Sequence, residues 1–118
     1  NLDSLRTWAD VRDAVRAYHM LVTIDPTPGE YYNIGGTYTC TIRDMLDFLL
    51  SRSTIDDIEV IVDPSRLRPI DADLQVPNTE KFTQHTGWSP SIPFEQTMVD
   101  LLNYWRRRVA TGETFLTR

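Results

Sequence analysis

The sequence predicts an α/β domain, a small mixed sheet of two or three short strands carrying about four helices. Three observations predict it. Apolar residues recur at helical spacing in separate segments with charged residues between them. Two runs, "EYYNIGG" and "IEVIVD", have the β-branched and aromatic composition of strands. Capping residues, prolines and glycines mark the boundaries between these segments. At 118 residues the chain is one domain long.

The first helix is expected over residues 11–22, where Val11, Ala14, Val15, Tyr18, Leu21 and Val22 fall at helical spacing and Arg12, Asp13, Arg16 and His19 lie on other faces. Asp10 stands where an N-cap is wanted. Pro26 and Pro28 bracket the exit, and a short strand over 30–36 follows, ended by Gly35 and Gly36. Thr41 with Asp44 three residues on has the form of a capping box. Ile42, Met45, Leu46, Leu49 and Leu50 then give the second helix its apolar stripe, ending near Ser53.

Residues 58–63 have strand composition. The stretch from Pro64 to Pro69 suits neither a regular helix nor a central strand, which makes it a loop. Asn78 caps a short helix over 79–86, with Gly87 at its left-handed C-terminal position and Trp88 folding back beside it. The last helix has Pro93 near its first turn, places Phe94, Met98, Leu101, Leu102 and Trp105 on one face, and has Arg106, Arg107 and Arg108 at its C-terminal end, whose charges complement the helix dipole. Residues 1–108 form the expected domain and 109–118 a flexible tail.

Composition removes several function classes. With 17 acidic against 12 basic residues and a net charge of −5, the chain has no electrostatic footprint for nucleic acid. No apolar run approaches the ~18–20 residues of a membrane span, and no signal-peptide pattern is present. The lone Cys40 cannot form an internal disulfide, which suits a reducing compartment, and the expected location is the cytoplasm. One cysteine and two histidines, without HExxH or CxxC spacing, supply no metal ligand set. His19 and His85 are expected at surface or boundary positions, and Cys40 as a small structural residue. Gly35-Gly36 lacks the third glycine of a phosphate loop and is expected as a turn. The first residue is Asn1 rather than Met, so the chain is expected to be a piece of a longer protein.

The loop "SRLRPID", residues 65–71, carries the chemistry. Pro69 biases Arg68 to an extended backbone, fixing the direction of its side chain. A guanidinium held this way suits a bidentate contact to phosphate, and the Asp71 carboxylate three residues on can accept from sugar hydroxyls. Phosphate beside ribose is the chemistry of a nucleotide diphosphate. Local ion pairing of Arg66 and Arg68 with Asp63, Asp71 or Asp73 is the alternative, and the residues alone leave both open.

Four segments in order, "NLDSLRTWADVRDAV", "EYYNIGG", "DPSRLRPIDAD" and "TGWSPSIPFEQTMVDLLNYW", resemble the C-terminal portion of the extended short-chain dehydrogenase/reductases that act on nucleotide sugars. The resemblance is closest to the GDP-mannose branch. Within it, "RTWADVRDAVRAY" is most similar to the GDP-4-dehydro-6-deoxy-D-mannose reductases, which make GDP-D-rhamnose. GDP-mannose 4,6-dehydratases, or another epimerase or dehydratase of nucleotide sugars, are the alternative. A non-catalytic nucleotide-sugar-binding or interaction module is the reading of another class.

The resemblance implies the C-terminal substrate-binding part of a Rossmann-type NAD(P) enzyme. It implies that Arg6 and Arg68 contact the diphosphate, that Asp71 contacts the ribose, and that Asn1 lies at the edge of the same site. A GDP-sugar is the implied ligand, and NAD(P) the cofactor of the parent enzyme. An N-terminal Rossmann domain is the implied partner, its sheet covering the first helix and the "YYNIG" strand. Without that sheet, a homodimer through residues 11–22 and 31–34 is expected. The family's GxxGxxG fingerprint and Tyr-x-x-x-Lys pair are absent: Lys81 is the only lysine, and Pro77 stands where its tyrosine partner would be. No catalytic residue is therefore assigned, and this chain alone is expected to bind no cofactor and to be inactive.

Overall fold

Helices form where caps and apolar spacing coincide. The computed structural model describes residues 1–67 and 73–112. Helix α1, Val11–Thr23, starts at Asp10, whose carboxylate accepts from the Arg12 backbone N–H at 2.8 Å. Helix α2, Ile42–Ser51, opens with the reciprocal capping box: Asp44 N–H donates to the Thr41 hydroxyl and Thr41 N–H to the Asp44 carboxylate. Helix α3, Glu80–Thr86, follows Asn78, whose side-chain oxygen accepts from Glu80 N–H, and ends at Gly87 with φ of 70°. Helix α4, Phe94–Ala110, has Glu95 in its first turn and Arg107 and Arg108 in its last. It ends beyond residue 108, where the tail was expected to start.

The strands lie elsewhere than expected. Among the described residues the sheet comprises β1 (Leu5–Trp8), β2 (Tyr38–Thr41) and β3 (Leu74–Gln75), in the order β2-β1-β3. β1 runs antiparallel to β2 and parallel to β3, so the sheet is mixed, as expected. Residues 30–36 and 58–63, expected as strands, carry no regular structure. Their composition is right, but a strand exists only where a neighbour completes its hydrogen-bond ladder. Ile61 is 75% exposed and pairs with no strand among the described residues.

Two apolar clusters hold these elements together. Ala17, Phe82 and Trp88, with Met20, Leu21, Tyr32 and Ile34, join α1, α3 and the segment before β2. Cys40, Phe94 and Met98, with Trp8, Met45, Phe48 and Leu49, pack α2 and α4 against the sheet. Burial pushes the Cys40 thiol up from its usual range, in keeping with a structural cysteine. The α4 stripe is buried only at its start; Leu101 and Trp105 remain partly open to solvent.

The glycine pair does more than turn the chain. A Cβ on Gly36 would lie 1.5 Å from the Trp8 carbonyl oxygen, and one on Gly35 would lie 2.5 Å from Pro77 Cγ. Residues 33–36 can therefore sit directly on β1 and on the segment after β3.

An acidic clasp complements this packing. Asp13, expected on an outer face of α1, is buried. Its carboxylate accepts from Arg16 at 2.7 Å and from Ser91 N–H, the Ser91 hydroxyl and Ile92 N–H at 2.9 Å each. Asp10 likewise accepts from Thr97 at 2.8 Å, and Arg12 bridges Asp10 to Asp100. Together these bonds tie α1 to the start of α4.

Candidate functional site

Arg6 sits on the central strand, where both neighbours fix its backbone. It is in register with Cys40 of β2 on one side and Gln75 of β3 on the other. Leu5 N–H donates to the Asp73 carbonyl at 2.8 Å, which pins the entry to β3 beside it. The half-buried Arg6 side chain donates from Nη1 to the Leu5 carbonyl at 2.9 Å.

Arg6 lines a cleft of about 730 Å³ together with Trp8, Asn33, Ile34, Gln75 and Val76. The volume lies within the ~300–1,000 Å³ usual for small-molecule sites. The lining combines one guanidinium, two neutral amides and an apolar wall. Such a surface can hold an anionic group at one end and an uncharged polar group beside it.

The other expected site residues are placed differently. Asn1 accepts from Asp3 N–H at 3.1 Å and lines a separate groove of about 430 Å³, with Leu46, Leu50, Val62 and Arg66. Among the described residues, this groove and the Arg6 cleft share no lining residue. Arg68 and Asp71 lie outside the described residues. The flanks of their segment are described: Leu67 lines the Asn1 groove, and Leu74 lines the Arg6 cleft. Arg66 pairs with Asp63 at 3.5 Å on an open surface, so local ion pairing accounts for this arginine.

Asn33 and Gln75 were not singled out in the sequence. Gln75 lies in a strand too short to show a pattern, and Asn33 in a run whose composition suggested only β structure. His85 takes the boundary role expected of it, with Nδ1 against the Tyr32 hydroxyl and Nε2 on the Asp25 carbonyl at 3.0 Å. Lys81 donates to Glu30 and to the Tyr31 carbonyl, away from the cleft. No His, Cys, Asp or Glu cluster suited to a metal occurs among the described residues, and none of their helices is long and apolar enough to cross a membrane.

Residues 1–101 match the family described as GDP-mannose 4,6 dehydratase. The chain belongs to this family. Membership places it among the extended short-chain dehydrogenase/reductases of nucleotide-sugar metabolism, as the sequence motifs implied. It is similar to GDP-6-deoxy-D-mannose reductase of Pseudomonas aeruginosa, with 27% identity over 109 residues, covering 92% of this chain and 35% of that protein. It is also similar to dTDP-glucose 4,6-dehydratase of Salmonella typhimurium, with 33% identity over 102 residues, covering 79% of this chain and 27% of that protein.

Solved structures carry the same fold. RMD from Pseudomonas aeruginosa, complexed with NADPH, superposes with a TM-score of 0.79 at 24% identity, over 92% of this chain and 35% of that one. UDP-glucose 4-epimerase from Thermotoga maritima, with UDP-glucose, gives 0.78 at 22% identity, over 92% and 34%. This member of the family thus spans about a third of the length of the relatives it matches.

Proposed function

We propose that this chain is the C-terminal, substrate-facing part of an NAD(P)-dependent GDP-sugar enzyme, a GDP-4-dehydro-6-deoxy-D-mannose reductase making GDP-D-rhamnose in the cytoplasm. The observation that carries the reading is Arg6, fixed on the central strand and lining a cleft of about 730 Å³. A guanidinium there can clamp a diphosphate with its two-pronged geometry. Arg68 and Asp71 complete the site in this reading, on the diphosphate and the ribose, and Asn1 stands near its edge. The family match favours a second reading, a GDP-mannose 4,6-dehydratase, for the same site.

In this reading the dinucleotide is held outside this chain. The glycine pair that could have cradled phosphate is filled by the Trp8 carbonyl and Pro77. In the proposed enzyme the cofactor belongs to a separate Rossmann domain and supplies hydride chemistry when bound. The present residues bind and orient the nucleotide sugar, and the outward face of α1 receives that domain.

Isothermal titration of the complete gene product with GDP-mannose tests the site. Arg6→Ala and Arg68→Ala are each expected to weaken binding by roughly 2–5 kcal/mol, the scale for losing a buried charged partner. Lysine at either position should recover part of this. Asp71→Asn is expected to cost about 1–2 kcal/mol. Wild-type affinity in Arg6→Ala would return the cleft to ordinary surface. NADPH oxidation with a 4-keto GDP-sugar separates reductase from dehydratase, and the 118-residue chain alone is expected to show none.

A further inference from the structure

We propose that the residues immediately before Asn1 in the complete gene product lie as a β-strand in the apolar groove beside residues 58–63, and supply the ladder that this segment lacks. The inference rests on the reading of this chain as the C-terminal part of a longer enzyme, and concerns a surface separate from the Arg6 cleft.

An unpaired strand carries the first step. Among the described residues, no backbone N–H or C=O of residues 58–62 enters a hydrogen bond, although their composition is that of a strand. Exposure follows the two-residue period of an extended chain: Ile58, Val60 and Val62 are 46%, 46% and 51% exposed, and Ile61 between them is 75% exposed. The less exposed row lines the groove of about 430 Å³ together with Leu46 and Leu50, which lie one turn apart on α2. An extended guest would meet aliphatic side chains on one side and an open backbone edge along its length. This is how a free edge takes up a strand.

The position of Asn1 carries the second step. Arg43 N–H, in the first turn of α2, donates to the Leu2 carbonyl at 2.9 Å, so the first residues are fixed against that helix. Asn1 and Leu2 themselves line the groove. A residue joined to Asn1 therefore starts at the groove, and the covalent link removes most of the entropic cost that a free partner would meet. The chain covers 35% of the matched reductase, which leaves room for such a segment. A second copy suits the edge less well, because pairing 58–63 with itself brings Asp57, Glu59 and Asp63 of one copy near the same carboxylates of the other.

The test uses the complete gene product, with Val60→Cys and a second cysteine placed in turn at the roughly five positions before Asn1, about one strand length. A disulfide needs Cα atoms within about 7 Å, so mild oxidation should cross-link one position, or two positions separated by one, and spare the neighbours that face the other way. The native Cys40 is buried and stays out of the reaction. Without substitutions, amide exchange at 58–62 should run on the order of 100-fold slower than in an unstructured peptide. Exchange at the unstructured rate would overturn the proposal. Slow exchange without a cross-link would give the groove to another part of the protein, and cross-links only between two molecules would give it to a second copy; either result overturns the assignment. If the cross-links form within one molecule while Arg6→Ala binds GDP-mannose as the wild type does, the nucleotide reading falls and the strand assignment stands.

Discussion

Two faces of one helix are used in opposite ways. On α1, Asp13 and Ala17 are each 1% exposed, whereas Val11, Val15, Tyr18 and Val22 are between 62% and 73% exposed. An amphipathic helix usually turns its apolar stripe inward. Here a carboxylate is inside and a stripe of valines and a tyrosine is outside. The inner face closes because the Asp13 carboxylate finds its donors, one from Arg16 a turn along the same helix and three from Ser91 and Ile92 far along the chain. The outer face has the composition of a core without the neighbour that would make it one. In the proposed enzyme that neighbour is the nucleotide-binding domain.

The largest effect should come from the inner face. Asp13→Ala would leave the N–H groups of Ser91 and Ile92 without their acceptor, while the partly exposed Arg16 keeps the Ser89 carbonyl, for a loss of about 2–3 kcal/mol. Urea denaturation of the chain measures it. A loss below about 1 kcal/mol would make the clasp equivalent to an exposed ion pair.

Acid should loosen the same contact. Burial pushes the Asp13 carboxyl up, but Arg16, Ile92 N–H and both Ser91 donors pull it down further, to about 2 from an ordinary 3.8. A depressed folded pKa means that the stabilisation is complete above about pH 4 and is lost as the pH falls through about 2. Its size is about 2 kcal/mol. Melting curves between pH 5 and pH 2 should therefore fall more steeply in the wild type than in Asp13→Asn. Asp10, also held low by Arg12, titrates in both proteins and cancels in the comparison.

A smaller loss is expected from Trp88→Phe. The indole N–H of Trp88 donates to the Asp13 backbone carbonyl at 3.2 Å inside the Phe82 cluster. Phenylalanine keeps most of the ring and drops that bond, for about 1 kcal/mol. An unchanged denaturation midpoint would show that the indole contributes by packing alone.

The contrast between faces also explains what could be read from the sequence. All four helices were legible, because capping at Asp10, Thr41 and Asn78, the left-handed Gly87 and Pro93 are local signals that need no partner. The strands were not. "IEVIVD" has strand composition without a ladder, whereas "LRTW" and "YTCT", only four residues each, form one, since pairing is decided by residues far away in sequence. Asp13 could not be placed inside, because its donors at Ser91 and Ile92 lie at the other end of the chain. At the candidate site, Arg6 was reached through a family motif and not through periodicity. Asn33 and Gln75 became visible only when β1, β3 and the glycine pair were brought together.

The outer face gives the smallest effect in this chain and so the sharpest contrast. Val15 is 62% exposed, so replacing it with serine removes little contact with its own fold. The expected change in the isolated chain is within about 0.5 kcal/mol, the range of an ordinary surface substitution. If the stripe is the face that receives the nucleotide-binding domain, the same change in the complete protein uncovers a cavity and a hydroxyl at an apolar contact. The cost there should be on the order of 1–3 kcal/mol, the scale for a buried valine. Denaturation of both forms with and without Val15→Ser measures the difference directly. Sedimentation of the isolated chain adds a second reading, because a homodimer formed through this stripe should shift toward monomer in the variant. Equal effects in the two forms would mean that the stripe of α1 is solvent-facing in both, and that its valines serve neither domain docking nor self-association.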